Sequence, residues 1–270
     1  MKILTATTLA VLIATGAMAE DAAKNPLEDS ASWAELKDTF VGDTRIGDGS
    51  AVFEVDAPYR AADAATVPVT IRQTDPAAVI DKVMVVIDEN PAPMAAEMTF
   101  GPAMAPLDME IRVRVNQYSN VRVIAETEDR GAVMNGRFVK ASGGCSAPAS
   151  RDPTEALASM GEMQLRTFTG DEGGMSVPRR EAQIMIRHPN YSGLQRDQIT
   201  QLFVPAHFID WIEVWQGDEL LWTLQGGISI SENPVFRFSY DDNGSTELTV
   251  KAKDTEGNEF EHVLPKTTDS

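Results

Sequence analysis

The sequence predicts an all-β protein made of two antiparallel β-sandwich domains joined by a linker, with one short helix near the N-terminus. Short segments of about five to nine residues alternate apolar and polar positions or run apolar, with Pro, Asp, Asn and Gly between them. Residues 146–176 are rich in Ala, Ser, Pro and Gly and lack sustained alternation, which indicates a linker. The 270 residues suffice for two domains of ordinary size.

The chain begins with the pattern of a secretory signal peptide, residues 1–19. One lysine precedes an apolar run of about a dozen residues, and Ala17-Met18-Ala19 has the small-x-small form of a cleavage site. The run is too short to anchor the chain, and no later stretch approaches the ~18 apolar residues that a spanning helix needs. We therefore expect a mature protein without a membrane anchor, located in the oxidising periplasm of a Gram-negative cell.

The first predicted domain covers residues 27–145. Ser30 or Ser32 is a candidate N-cap for a short amphipathic helix whose apolar positions are spaced by three and four: Trp33, Leu36 and Phe40. The predicted strands lie in SAVFEVDAP, ATVPVTIRQ, VIDKVMVVIDEN, DMEIRVRVN, NVRVIAETED and GRFVKAS. Within the following linker, a short helix is predicted around Thr154–Met163.

The second predicted domain covers residues 177–270. Its strands are predicted in EAQIMIRHP, HFIDWIEVWQGDELLWTL, ISISENPVFRFSY and TELTVKAKDTEGNEFEHV. Residues 216–219 and 255–258 have the composition of hairpin turns. Alternate apolar positions of these strands, such as Ile209 and Val214, are expected in the core.

The net charge of −18 at pH 7 bears on the class of partner. A field of this sign disfavours binding to nucleic acid and to anionic lipid. It favours a partner with a basic surface, and many periplasmic cytochromes have such a surface. Alternatively, the acidity serves only to keep the protein soluble. Both readings stay open.

The sequence contains no motif of a common catalytic apparatus, and we expect neither an enzyme nor a bound cofactor. His188, His207 and His262 are far apart and have no Cys or carboxylate at the spacing of zinc ligands, so structural hydrogen-bonding roles are favoured and no metal site is predicted. Residues 241–244, Asp-Asp-Asn-Gly, are acidic enough for calcium, but they lack the ligand spacing of an EF-hand. A polar turn is the better interpretation.

Cys145 is the only cysteine of the chain, and it follows Gly143 and Gly144. Glycine carries no side chain and tolerates positive φ, so this backbone can move or pass through a narrow space. The residues after it, Ser-Ala-Pro-Ala, are small, and we expect an exposed, reachable thiol. A small buried hydrophobic role is the alternative, because free cysteines are commonly buried.

Two parts of the chain resemble a known family. The segment RFVKASGGC, residues 137–145, resembles the end of SoxY, the carrier subunit of the periplasmic sulfur-oxidation system. The second half is similar to its partner SoxZ in four segments that occur in the same order: IRHPNYSGLQRD, VPAHFIDWIEVWQGDELLW, GGISISENPVFRFSY and LTVKAKDTEGN.

The resemblance implies two immunoglobulin-like β-sandwiches that pack on each other. It also implies that Cys145 holds cargo covalently and that Gly143 and Gly144 form its flexible arm. In the family the two halves are separate chains and the arm ends soon after the cysteine, whereas here Ser146-Ala147-Pro148 follow and the chain continues. Fused carriers of this kind are associated with quinoprotein alcohol dehydrogenases, which implies those enzymes, cytochrome c or Sox-type enzymes as partners.

Three functions follow as hypotheses. The first is a periplasmic carrier that holds a sulfur-containing or other intermediate on Cys145 for partner enzymes. The second is a non-covalent binding or assembly module for a periplasmic dehydrogenase or cytochrome c, with an incidental thiol. The third is a thiol enzyme in which His188 or His207 acts as the base, which requires that the histidine come within hydrogen-bond reach of its target.

Overall fold

The computed structural model describes residues 25–149, 153–168 and 179–266. Nearly half of these residues are in strands, which form two sheets with an apolar core between them. The predicted all-β sandwich class is therefore confirmed. The predicted signal peptide, residues 1–19, lies outside the described residues. None of the helices in the described ranges is long and apolar enough to cross a bilayer.

The elements within residues 25–149 are, in chain order, α1 (Ala31–Val41), β1 (Gly47–Asp48), β2 (Phe53–Asp56), β3 (Val67–Gln73), β4 (Ile80–Ile87), β5 (Met94–Phe100), β6 (Asp108–Val113), β7 (Ser119–Thr127) and β8 (Gly131–Val139). Two short 3-10 helices cover Pro102–Met104 and Gly144–Ser146.

The elements in the other two described ranges are α2 (Pro153–Ala158), β9 (Met163–Phe168), β10 (Arg179–Ile186), β11 (Ile209–Gln216), β12 (Glu219–Gly226), β13 (Val235–Asp241), β14 (Glu247–Asp254) and β15 (Glu259–Pro265). The three predicted turns, at residues 216–219, 241–244 and 255–258, lie between successive strands of this half, and these predictions are confirmed.

Both sheets run through both halves of the chain. One has nine strands in the order β1-β8-β7-β4-β5-β12-β11-β14-β15, and the other has six in the order β2-β3-β6-β13-β10-β9. The junctions are the antiparallel pairs β5 with β12 and β6 with β13. At these junctions Met98 lies opposite Leu224 and Ile111 opposite Phe236, and all four side chains belong to one buried cluster. The predicted packing of the two halves on each other is confirmed.

Strand β5 joins the halves in the larger sheet, yet the sequence analysis did not predict it. Its sequence, MAAEMTF, contains Ala, Met and Glu, which favour helices more than strands. Ala95, Ala96 and Met98 are nevertheless completely buried. Pairing with β4 on one side and β12 on the other stabilises this strand, so tertiary structure outweighs local propensity.

The prediction of a linker over residues 146–176 was wrong for part of its length. Met163–Phe168 form β9, the edge strand of the smaller sheet, which pairs with β10 from Glu181↔Phe168 to Ile186↔Met163. Met163 is buried in the common core, and this burial stabilises a strand whose alternation is too short to recognise. The helix predicted around Thr154–Met163 is present as the shorter α2.

Helix α1 begins after Ser30, one of the two predicted N-cap residues. The Ser30 Oγ accepts a hydrogen bond from the Trp33 backbone N–H at 3.0 Å, which satisfies one of the free N–H groups of the first turn. Trp33 packs on the outer face of the larger sheet against Val86 and Ile124. The Arg122 guanidinium lies 4.6 Å from the centre of the Trp33 ring, a cation–π contact.

Candidate functional site

Cys145 lies in the 3-10 helix that follows β8, and its side chain is completely buried. The expectation of an exposed thiol was therefore wrong for this structure. The small residues around it, which indicated an accessible segment, instead allow the backbone to pack closely against the core. Burial of a free cysteine as a small hydrophobe was the alternative interpretation, and the burial observed is of that kind.

Gly143 and Gly144 hold the cysteine segment against the end of β6 and the loop before β3. Gly143 adopts the left-handed conformation with φ of 78°. Its N–H donates to the Asn116 carbonyl at 2.8 Å, and the Gly144 N–H donates to the Val115 carbonyl at 3.1 Å. A Cβ on Gly144 would overlap the Ala64 carbonyl oxygen and lie 2.7 Å from that of Val115. Glycine is needed here for close approach, and the role of the pair as a flexible arm stays a prediction.

The second half of the chain closes over the other side of this segment. The Ser192 hydroxyl donates a short hydrogen bond to the Cys145 carbonyl. The Gln195 side chain donates to the Ala147 carbonyl at 2.8 Å. Both residues belong to the connection between β10 and β11, residues 187–208, which we call the clasp. The thiol is thus enclosed at the junction of the two halves.

Arg114 ties the clasp to the cysteine segment from inside. It follows β6 directly and is 1% exposed. Its Nη1 donates to the Gly144 carbonyl and its Nη2 to the Asn190 carbonyl, each at 3.2 Å. One guanidinium therefore bridges the residue before the thiol and a residue of the clasp.

The surroundings of Cys145 keep it protonated. Burial raises the pKa of the thiol to about 11, while the positive charge of Arg114 acts in the opposite direction. The thiolate is the nucleophilic form of cysteine. Near neutral pH this thiol is therefore unreactive while enclosed, and reaction requires that the segment open.

The structure brings His188 and His207 together, although nothing in the sequence placed them near each other. Their Nε2 atoms lie 3.3 and 2.7 Å from the same carboxylate oxygen of Asp254, and all three residues are buried. Burial opposes ionisation of Asp254, but hydrogen bonds from Asn258 and both histidines outweigh it and hold the pKa of the carboxyl below its ordinary value. The sequence signal for Asp254 was only its place at the start of a predicted turn.

These three residues have the side chains of a metal site, with ligand atoms within 4.8 Å of one another. However, the Asn190 backbone N–H donates to Nδ1 of His188 at 3.0 Å. The proton of the neutral His188 ring then lies on Nε2, where it is donated to Asp254 and leaves no lone pair for a metal. Burial also lowers the pKa of His188, which favours the neutral ring. The geometry supports the structural role predicted for the histidines.

The ring nitrogens of His188 and His207 form hydrogen bonds with residues other than Cys145. Among the described residues, His188 contacts Asn190 and Asp254 through its ring nitrogens, and His207 hydrogen-bonds to Asp254. Neither ring is hydrogen-bonded to Cys145 in this part of the chain. His262 lies apart from them on β15, opposite Val250. The geometry therefore gives no support to a thiol enzyme with a histidine base.

An open cavity of about 550 Å³ lies beside the cysteine segment. Its walls include Pro148 and Ala149 of that segment and three apolar residues of the clasp, Ile199, Leu202 and Phe203. Ile199 is 93% exposed, and Leu202 and Phe203 are also exposed. Exposed apolar side chains grouped in this way are typical of surfaces that contact another molecule.

Two family models match the chain. Residues 37–145 match the model described as sulfur oxidation protein SoxY, and residues 177–265 match the model described as sulphur oxidation protein SoxZ. The first match ends at Cys145. A search of curated proteins found no match.

Two solved structures are similar to parts of the chain. One is the sulfur carrier protein SoxY from Chlorobium limicola f thiosulfatophilum, with 25% identity, a TM-score of 0.34, and alignment of 42% of this chain and 97% of that chain. The other is the superoxide reductase (neelaredoxin) from Ignicoccus hospitalis T24K, with 12% identity, a TM-score of 0.30, and alignment of 42% and 98%. Both TM-scores are low. By its two family matches, the chain is a SoxY domain and a SoxZ domain fused in one polypeptide.

Proposed function

We propose that this protein is a periplasmic carrier in which Cys145 holds a sulfur-containing intermediate covalently and presents it to partner enzymes. The observation that carries the proposal is the position of the thiol. Cys145 is the last residue of the SoxY match, and the SoxZ half encloses it through Ser192 and Gln195. Because the two domains are fused, the clasp and the cysteine segment belong to one molecule and their association is intramolecular.

The carrier works through two states of the cysteine segment. In the closed state the thiol is buried and protonated, so it is protected from adventitious chemistry. Opening of the clasp moves the thiol into water, where its pKa returns towards the ordinary value of about 8.5. Joining the thiol to the sulfur of an anionic sulfur species forms an S–S bond and releases one proton and two electrons. A c-type cytochrome or another redox partner accepts the electrons.

The proposed partners are periplasmic redox enzymes: Sox-type enzymes, cytochrome c, or a quinoprotein alcohol dehydrogenase. Two features support docking near the thiol. The exposed side chains Ile199, Leu202 and Phe203 lie on the clasp beside the cysteine segment. The net charge of −18 complements a partner with a basic rim around its apolar contact surface. The periplasmic location rests on the signal pattern of residues 1–19.

One observation favours a second function, a non-covalent assembly module with an incidental thiol. Cys145 is completely buried, and burial raises its pKa to about 11. A thiol that never leaves this site would serve only as a core residue. The two functions differ in whether Cys145 is ever modified.

The test is intact-mass and peptide mass spectrometry of protein purified from periplasm without reductant. We expect an added mass on the peptide that contains Cys145, removed by dithiothreitol, and loss of pathway activity in Cys145→Ser. A matched control is Cys145→Ser combined with Ser146→Cys, which moves the thiol by one residue to an exposed position. A thiol that is always free, together with full growth of Cys145→Ser cells on alcohol and sulfur sources, would contradict the carrier and leave the assembly module.

A further inference from the structure

Arg114 is a buried cation whose guanidinium donates to two backbone carbonyls, those of Gly144 and Asn190. Elsewhere in this protein, buried cations are paired with carboxylates: Arg122 contacts Asp88 at 2.8 Å, and Lys266 contacts Asp242 at 2.8 Å. In the described part of the chain, no carboxylate forms an ion pair with Arg114. An unpaired charge in the interior is costly, because burial removes its hydration without replacing it.

The hydrogen bonds of the Arg114 guanidinium are incomplete. Nη1 and Nη2 each donate to one carbonyl, but the buried Nε–H has no partner among the described residues. Three groups act on the Arg114 charge, namely Cys145, Glu232 and Asp63, and of these Cys145 has the largest effect. The thiol adjoins the Gly144 carbonyl that Nη1 binds.

From this arrangement we infer that Arg114 is a built-in counter-ion for an anionic sulfur group on Cys145. This inference rests on the proposed carrier function and deepens it, because it assigns the residue that compensates the charge of the cargo. The group is a carried species that ends in negatively charged sulfur or sulfonate. With a neutral thiol, the weaker effects of Glu232 and Asp63 act on the Arg114 charge, whereas an anion on Cys145 adds the largest of the three effects.

The effect of charge on stability at Cys145 should be opposite to its effect at the rest of the surface. Since the chain carries a net charge of −18, one more negative charge at an ordinary surface position adds to self-repulsion, and one more positive charge relieves it. At Cys145 we expect the opposite: an added negative charge is more favourable than an added positive charge. A negatively charged adduct stabilises the closed protein relative to a positively charged adduct of the same size.

The experiment loads Cys145 with two such adducts. The thiolate attacks the sulfenyl sulfur of a methanethiosulfonate reagent, and methanesulfinate leaves as the mixed disulfide forms. Sulfonatoethyl and trimethylammonioethyl methanethiosulfonate then give adducts of similar size and opposite charge. Excess reagent drives loading, intact mass confirms it, and thermal unfolding is recorded in 20 mM and 500 mM salt.

We expect the sulfonate-loaded protein to unfold at the higher temperature, and the gap between the two adducts to disappear in Arg114→Gln and to persist in Arg114→Lys. The Cys145→Ser, Ser146→Cys protein, loaded in the same way, is expected to show the opposite order or no gap. Equal or reversed unfolding temperatures of the two wild-type adducts overturn the inference, even if Arg114→Gln fails to fold. This result is independent of whether Cys145 is modified in cells, so failure here leaves the carrier proposal to its own test.

Discussion

The Ser192 hydroxyl donates its hydrogen bond to the backbone carbonyl of Cys145, and the two residues come from different halves of the chain. This contact, with the one from Gln195 to Ala147, connects the SoxZ domain to the backbone around the thiol. Access to the sulfur therefore depends on how firmly the clasp is held.

Ser192→Ala is expected to speed modification of Cys145. The change removes the bond to the Cys145 carbonyl and also the acceptor of the Leu194 N–H. Loss of the first bond, at about 1 kcal/mol, raises the population of the open segment about fivefold. The measurement is the rate of reaction with iodoacetamide at pH 8. Ser119→Ala is a matched control, because the Ser119 hydroxyl also donates to a buried carbonyl, that of Asn120, but in the SoxY domain. Equal rates in wild type and Ser192→Ala would show that this contact does not restrain the segment.

Gly144→Ala is expected to displace the cysteine segment from its packing against the core. The new methyl group would overlap the Ala64 carbonyl and lie 2.7 Å from that of Val115, so the free energy of unfolding should fall by about 1–3 kcal/mol. Alkylation of Cys145 should become faster at the same time. Gly131→Ala is the control, since Gly131 has a positive φ of 68° but nothing within 4 Å of the new Cβ. Gly131→Ala should lose stability without faster alkylation of Cys145. If alkylation becomes faster to the same extent in both variants, Gly144 does not hold the cysteine segment in place.

The reactivity of Cys145 should depend on pH in a manner set by its raised pKa. A folded-state pKa of about 11 means that the thiolate fraction is small at pH 7 and grows about tenfold per pH unit below the pKa. The alkylation rate of the folded protein should therefore still rise between pH 8 and pH 10. The thiol of Cys145→Ser, Ser146→Cys should instead level off above about pH 8.5. A plateau of the wild-type rate at that lower pH would show that Cys145 is not enclosed in solution.

Asp254→Asn is expected to loosen the clasp from its far end. Asp254 accepts hydrogen bonds from both His188 and His207, which lie at the two ends of that connection. Removing one charged partner from a buried network costs about 3–5 kcal/mol, so thermal unfolding should occur at a lower temperature and Cys145 should react faster. Glu256→Gln is the control, because Glu256 is exposed and lies 3.8 Å from His207. If the two variants unfold alike, the buried carboxylate does not hold the clasp.

Most strands could be predicted because their burial alternates with period two. β3 shows this directly, with Val67, Val69 and Ile71 buried between more exposed neighbours. β5 and β9 could not be predicted, since Ala, Met, Gln and Arg carry no strand signal of their own. Their pairing with β12 and β10 supplies the stabilisation, and that pairing joins residues distant in sequence.

The sequence by itself determined the all-β class, a helix cap at Ser30 or Ser32 and the turns, and it singled out Cys145 with its two glycines as the candidate site. These features depend on local periodicity, on backbone freedom or on a motif, all of which can be read along the chain. Only the tertiary structure decided that the thiol is buried, that Arg114 lies beside it, and that His188 meets His207 at Asp254. The physical reason is that burial and charge compensation are properties of a site, and this site forms where the two halves of the chain meet.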